Sequence, residues 1–302
     1  MASLSSSASK STSQSGSGKT TTSTPISAPS QTPPVPLPPS SSLPPPLDRD
    51  PTIQFTTIDE LFRDVDRTPG DILIVTHIGP HDFATIERER ESRRRKFRFR
   101  RYYTSSRILI IALPTDIHEQ LHLQLNQQLL SKVTRMGVED AWQTIGSATR
   151  RAQGHPGGGG ESDSSGGPRP NRAGPDDWPT LVIEAGDSES LTQLRRDMRW
   201  WFEASNHQVQ IVVLKWEEEL PVARPGAMTT RSVATAVPRL QQSITITQTA
   251  TGPPVYNVTR GALVLSFKRL FLRDPGPGEG DFVFSVSDLQ AYANRVWEAV
   301  RD

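Results

Sequence analysis

The chain has no cysteine at any of its 302 positions, which excludes a disulfide scaffold, a thiolate zinc site and a cysteine nucleophile. It also lacks an apolar run near the roughly 18–20 residues that a membrane span needs, and its start lacks the apolar core of a secretory signal. The net charge is only +1, so no global field points to nucleic acid or to a membrane surface. We therefore expect an intracellular protein, cytoplasmic or nuclear, with no membrane partner.

Apolar residues are scarce as well, at 34% of the chain, beside 26 prolines and 21 glycines. Residues 1–50 are a Ser/Thr-rich stretch followed by a Pro-rich one, which cannot bury enough apolar surface to offset ordering entropy. We predict a disordered tail over 1–50 and a single α/β domain over 51–302. The tail segment "PVPLPP" is typical of a ligand for an SH3-type module and equally of a plain linker.

Within the domain, apolar runs predict buried strands at 71–76, 107–114, 178–186 and 209–216. An apolar residue at every fourth position predicts a helix over 115–137, capped by Thr115 and ended by Gly137 in the left-handed conformation. The last part predicts further strands, one of them at 262–270, and a helix over 287–300 capped by Ser287. Buried strands separated by helices predict an α/β fold, a mixed sheet flanked by helices with a C-terminal strand and helix extension.

Two segments interrupt this pattern. Residues 87–103 predict a flexible basic segment, whose stretch Arg93–Arg101 is almost entirely basic with Phe97 and Phe99 interleaved. Such a stretch is typical of a nuclear-localisation patch or of a phosphate-binding stripe for nucleic acid. It is equally typical of a solvated edge strand or loop whose arginines prevent edge pairing. Residues 151–177 predict a glycine-rich loop.

Glu184 is the one charge inside the apolar strand "LVIEAG". A buried carboxylate is costly unless it is paired or holds a cation. It also lies near the carboxyl end of its strand, where α/β sheets place their ligands. The residues alone leave two interpretations open, a ligand-binding carboxylate or a strand-end glutamate that reaches solvent or pairs with Arg195 or Arg196.

The stretch "DDWPTLVIEAGDSESLTQLRRDMRWWFEASNHQVQIVVLKW" resembles an uncharacterised family of fungal proteins, as do "LPTDIHEQLH", "MGVEDAWQTIGSATR", "ESDSS" and the C-terminal "GALVLSFKRLFLRDPGPGEGDFVFSVSDLQ". That family is similar to bacterial restriction-endonuclease families of the PD-(D/E)XK type. The resemblance implies a core of helix, three antiparallel strands, helix and strand. It also implies metal-assisted hydrolysis of a phosphodiester, with Mg²⁺ held by carboxylates.

The resemblance assigns Asp163 and Glu184 as the two carboxylates of the Mg²⁺ site, with Glu119 completing the metal shell. Two functions are consistent with it, a Mg²⁺-dependent nuclease and a catalytically degenerate domain. The alternative of another class is a non-catalytic interaction protein that retains the fold.

Gly186 departs from the family pattern, because it stands where E-x-K has its lysine. Related families move this group to the following helix, where the chain offers Arg195 and Arg196 as catalytic candidates. An arginine can neutralise charge and hold a phosphate, but it stays protonated and cannot act as a base.

The segment His118–His122, "HEQLH", matches H-E-x-x-H. On a helix the two histidines lie one turn apart and can share Zn²⁺, with Glu119 as the general base, which gives a zinc metallopeptidase as a third function. No obvious third ligand follows on a second helix. The other interpretation is that both histidines are residues of an amphipathic helix beside the core.

Overall fold

The computed structural model describes residues 51–152, 158–186, 191–216, 242–248 and 255–299. The tail of residues 1–50, with its SH3-type segment, lies outside the described residues. All described residues belong to one compact unit, Pro44–Asp302. Within the described residues, no helix is both long enough and apolar enough to cross a membrane.

The chain alternates strands and helices from its first described residues. The helices are α1 (Ile58–Arg67), α2 (Pro80–Ser92), α3 (Asp116–Met136), α4 (Leu191–Ala204), α5 (Phe267–Phe271) and α6 (Val286–Glu298). The strands are β1 (Thr52–Gln54), β2 (Ile72–Thr76), β3 (Arg98–Tyr103), β4 (Ile108–Ala112), β5 (Trp142–Thr144), β6 (Arg150–Arg151), β7 (Gly159–Gly160), β8 (Ser164–Pro168), β9 (Leu181–Gly186), β10 (Ile211–Trp216), β11 (Thr245–Gln248), β12 (Tyr256–Thr259), β13 (Leu263–Leu265) and β14 (Phe282–Phe284).

The first sheet has the strand order β1-β2-β4-β3-β7-β6, in which β1 and β2 are parallel and the other pairs antiparallel. Its central strands β2 and β4 are apolar runs, which favours burial on both faces. On one face Leu61 of α1 and Phe83 of α2 pack with Phe99 and Leu109 of the sheet. This apolar layer fixes β3 in place.

The second sheet has the strand order β10-β9-β8-β5, with β9 and β10 parallel and the other pairs antiparallel. In chain order its elements are α3, β5, β8, β9, α4 and β10. Strand β9 is buried throughout because Leu181 and Ile183 face the cluster of α3 and α6, whereas Val182 faces Trp201 of α4. The ribbons β11–β12 and β13–β14 complete the C-terminal part.

Capping residues set the helix boundaries much as the sequence predicts. Thr57 caps α1 by accepting from the amide of Glu60, and Thr115 caps α3 by accepting from the amide of His118. Gly137 ends α3 with φ 74°, so that prediction is confirmed. The cap of the last helix lies two residues earlier than predicted, because Ser285 and not Ser287 caps it and forms a capping box with Asp288.

Several boundaries differ from the sequence-based expectations. Residues 87–103 hold the end of α2 and all of β3, and β3 lies inside the sheet between β4 and β7. The edge-strand interpretation is therefore wrong. The stretch 151–177 contains β7 and β8, and residues 262–270 form a short strand followed by α5. The fold is α/β with mixed sheets, but it has a second sheet that apolar patterning did not separate from the first.

Candidate functional site: an arginine and carboxylate network

The network lies where β3 of the first sheet meets the second sheet. The register of β3 against β4 shifts between Phe99 and Arg101, so Arg100 is the extra residue of a β-bulge. A bulge redirects side chains that would otherwise alternate. Here Arg100 and Arg101 both reach Asp197 on α4, through their Nε atoms at 2.9 and 3.2 Å from the carboxylate oxygens. All three side chains are almost fully buried.

Glu184 of β9 is fully buried beside this cluster. Its Oε1 accepts a hydrogen bond from the indole N–H of Trp201 and lies 3.6 Å from Nη2 of Arg101. Its Oε2 has no hydrogen-bond partner among the described residues. Burial, and then the charge of Asp163, raise the pKa of Glu184 to about 8, although Arg100 and Arg101 act in the opposite direction. Burial and the neighbouring acid therefore favour the protonated form of Glu184.

Asp163 precedes β8 and is the second carboxylate of the cluster. The antiparallel register pairs Ser164 with Ile183, so one further step sets Asp163 opposite Glu184. Its Oδ2 accepts from the amide of Ala185 at 2.7 Å and lies 3.0 Å from Nε2 of His118. Burial alone would raise the pKa of Asp163, but His118, and then Arg100 and His122, hold it well below its usual range. Asp163 is an ionised carboxylate, in contrast to Glu184.

Arg98, the first residue of β3, joins the acids of two other elements. Its Nη1 donates to Oδ1 of Asp163 at 3.0 Å, and its Nη2 donates to Oε1 of Glu119 on α3 at 2.6 Å. Nη1 also lies 3.5 Å from Nε2 of His122. A guanidinium fork thus bridges the two carboxylates that the sequence analysis assigns, with Glu184, to a metal.

The two histidines of α3 face inward and both are buried. His118 contacts Asp163, whereas His122 hydrogen bonds through Nδ1 to the hydroxyl of Ser164 at 2.8 Å and lies 3.3 Å from Glu119. The ring centroids are 5.9 Å apart and the rings are nearly perpendicular. His122 therefore has a hydrogen-bond partner, whereas Nε2 of His118 lies close to Asp163 without a hydrogen bond to a described residue.

Several of the predicted ligand atoms have protein partners in this arrangement. Both oxygens of Asp163 are engaged, and Glu119 is held by Arg98 and His122. In the described ranges, no group of three or more His, Cys, Asp or Glu side chains is arranged to hold a metal. This applies to the Mg²⁺ site of Asp163, Glu184 and Glu119, and to the Zn²⁺ site of the two histidines.

A side chain at the position where E-x-K places its lysine would require the side chain of Leu194 to shift. A Cβ on Gly186 would lie 2.8 Å from Cδ1 of Leu194, a fully buried residue of α4. The alternative candidates lie away from the carboxylates, since Arg195 is exposed and Arg196 half-buried. No hydrogen bond or ion pair between described residues joins either of them to Asp163 or Glu184.

The basic stretch Arg93–Arg101 divides at β3. Phe97 and Phe99 are core residues of the first sheet, so neither offers an open ring face to a base. Arg90 of α2 also turns inward and forms a bidentate pair with the buried Glu161, at 2.8 and 2.6 Å. Only the first part of the stretch, before β3, lies at the surface.

The residue pattern singled out Glu184, and the family resemblance added Asp163 and Glu119, but neither pointed to most of the residues that contact these carboxylates. Arg98, Arg100 and Arg101 were assigned as a group to a surface stretch, and Asp197 was not singled out. The one available signal was the apolar pattern around them, since Phe97 and Phe99 alternate as a half-buried strand does. Asp197 gave no signal, because an acid beside two arginines is ordinary on a helix surface.

Comparisons with known proteins leave the chain without a match, since no protein family model matches it and neither a curated protein nor a solved structure is significantly similar to it.

Proposed function

We propose that this chain is a non-cleaving interaction protein that retains a PD-(D/E)XK nuclease-like core. The observation that carries the proposal is the position of Arg98, whose guanidinium bridges Asp163 and Glu119 at 3.0 and 2.6 Å. A nuclease of this type would use a divalent metal between such carboxylates. In this chain a fixed side chain supplies the positive charge.

The order of elements in the second sheet supports the nuclease-like part of the proposal. The succession α3, β5, β8, β9, α4, β10, with its three antiparallel strands and a parallel fourth, is the order that the sequence resemblance implies. Asp163 and Glu184 also lie opposite each other across β8 and β9, where that resemblance assigns them.

The chemistry of the site supports the non-cleaving part. A metal polarises the phosphate and also lowers the pKa of a bound water, whereas a guanidinium can neutralise charge on a phosphate but generates no hydroxide at neutral pH. Gly186 supplies no lysine, and Leu194 fills the space that one would need. Glu184 is shielded from solvent and its raised pKa keeps it protonated near pH 7.

A cleavage assay tests the proposal directly. Wild type and Glu184→Ala are incubated with single-stranded and duplex DNA and RNA in Mg²⁺ or Mn²⁺, and products are resolved on a gel. We expect no metal-dependent product from either protein. Cleavage by wild type that Glu184→Ala abolishes would overturn the proposal and identify a metal-dependent nuclease.

A thermal-unfolding experiment tests the role of Arg98 with a positive readout. Wild type should unfold at the same temperature in EDTA, Mg²⁺ and Mn²⁺. Arg98→Ala removes the bridging guanidinium from Asp163 and Glu119, so its midpoint should be lower in EDTA and should rise with Mn²⁺. A ligand at 100 times its Kd stabilises by about 2.7 kcal/mol, which such a scan detects readily.

The matched control is Arg98→Lys, which keeps the charge and should leave the midpoint insensitive to Mn²⁺. Stabilisation of wild type by Mg²⁺, or an Arg98→Ala variant that ignores Mn²⁺, would show that Arg98 does not stand in for a metal.

A further inference from the structure

A cleft opens beside the surface part of the basic stretch, between the end of α1 and the start of α3. It has a volume of about 490 Å³, and four consecutive cations line it, Arg93 to Lys96. The opposite wall is formed by residues 113–115 and by the turn after α1. A second cavity of about 530 Å³ adjoins it and shares Asp66, Arg93 and Arg95 with it.

Two of the four cations have no ion-pair partner in the part of the chain that the structure describes. Arg94 and Lys96 are exposed, and neither forms an ion pair with a described residue. Arg94 has a φ of 52°, a left-handed conformation that is costly for a residue other than glycine. This conformation lies within a run of four like charges in the wall of a cleft, an arrangement that favours an anionic ligand.

The other two cations are held by exposed acids. Arg93 pairs with Asp59 at 2.6 Å and with Glu89 at 3.2 Å, and Arg95 pairs with Asp66. Asp59 is 74% exposed and Asp66 58% exposed, so water screens both contacts. Exposed pairs of this kind contribute about 0–1 kcal/mol, so they hold the two guanidinium groups only weakly, and a phosphate can accept hydrogen bonds from the same groups.

We propose that this cleft binds a small anion that carries several phosphate groups. Four clustered cations match two to four phosphates, and a volume of about 490 Å³ lies in the range of small-molecule sites. Guanidinium groups bind phosphate oxygens in pairs, which suits the three arginines of the cleft wall.

The same observations argue against a nucleic-acid strand as the ligand. Strand-binding grooves combine a long basic track with exposed aromatic rings for base stacking. The rings that line the two cavities, Phe62 and Phe97, are each 5% exposed, and cations cover the Phe62 ring. With a chain net charge of +1, no wider basic field extends the cleft.

Isothermal titration at low ionic strength tests the inference, with inositol hexakisphosphate and pyrophosphate as probes. We expect wild type to bind both probes, the hexakisphosphate more tightly, with an affinity that falls as salt is added. The double variant Arg94→Ala/Lys96→Ala should weaken binding of the hexakisphosphate by about tenfold or more, which corresponds to about 1.4 kcal/mol. The control Arg199→Ala/Arg269→Ala removes the same charge from exposed positions outside the cleft and should change the affinity by no more than about twofold.

Three outcomes would overturn the inference: no binding by wild type, equal weakening by the two double variants, or tighter binding of a poly-dT oligonucleotide than of the hexakisphosphate. The inference goes beyond the proposed function and does not depend on it. Cleavage in the gel assay would remove the non-cleaving proposal and leave this result unchanged, whereas a failed titration would leave the role of Arg98 unchanged.

Discussion

The two parts of the basic stretch Arg93–Arg101 use the same type of side chain in opposite ways. Before β3, Arg94 and Lys96 are exposed and line a cleft, without an ion pair to any described residue. Within β3, Arg100 and Arg101 are buried and hold the buried Asp197. Both parts are densely basic, so the charge density along the chain does not distinguish their roles. The decisive difference is what lies opposite each residue once the sheets are in place.

The difference has an energetic consequence. Exposed ion pairs contribute little to stability because water already solvates both partners well. In a buried pair both ions have lost their hydration, so removal of one partner leaves an uncompensated charge in a poorly solvated place. Effects of mutation should therefore grow from Arg94 through Arg98 to Arg101, in the order of their burial.

The largest effect should come from Asp197→Ala, which removes the carboxylate that Arg100 and Arg101 share. We expect a loss of about 3–5 kcal/mol in the free energy of unfolding. The matched control is Asp59→Ala, which removes the exposed partner of Arg93 and should cost no more than about 1 kcal/mol. Urea denaturation of both variants measures the difference. Equal losses would show that the buried pair contributes no more to stability than the exposed pair.

Arg98→Ala should have an intermediate effect, because its side chain is 15% exposed and its carboxylates also have other partners. We expect a loss of about 1.5–3 kcal/mol, the range for hydrogen bonds to charged groups. Urea denaturation again supplies the measurement. A loss as large as that of Asp197→Ala would show that partial exposure of Arg98 does not reduce the loss in the free energy of unfolding.

The pH dependence of the free energy of unfolding should distinguish the buried network around Glu184 from the exposed part of the basic stretch. The pKa of Glu184 is about 8 in the folded protein against a usual value of 4.5, so the folded state keeps a proton that the unfolded state releases. Stability from this proton is complete below about pH 4.5 and is lost as the pH rises toward about 8. Glu184→Gln should flatten this decline in urea unfolding between about pH 5 and 8.

Asp163 should make the stability depend on pH in the opposite direction, and in a lower pH range. Because its pKa is lowered in the folded protein, its contribution is present above its usual pKa of 3.8 and is lost below it. The contributions of the two carboxyls to stability can therefore be distinguished by the pH range in which each is lost. If the stability of Glu184→Gln declined between about pH 5 and 8 as steeply as that of wild type, Glu184 would be ionised in the folded protein.

The smallest effect on stability should come from Arg94→Ala/Lys96→Ala. Surface substitutions away from special features usually change stability by no more than about 0.5 kcal/mol. A thermal scan beside the titration measures this directly. A large loss would place these cations in the folding of the domain and remove the contrast with β3.

Local sequence signals predicted the parts of the fold that depend on near neighbours. Thr115 caps α3 and Gly137 ends it, as a hydroxyl before a helix and a glycine after it predict. Apolar runs located β2, β4, β9 and β10 to within a few residues. Strand β8, with the sequence "SSGGP", has no such pattern, because its burial comes from its neighbours and not from apolar side chains.

The sequence by itself determined the apolar strands, the ends of the main helices and the presence of an acid, Glu184, in a buried strand. Each of these follows from residues a few positions apart, whose preferences act within one helix turn or one strand. Only the tertiary structure decided which charges meet, because Arg98, Asp163 and Glu119 come from three separate elements. The bridge between these carboxylates forms only because the two sheets pack against each other. A local sequence pattern cannot predict such a contact, since the residues are far apart in the chain.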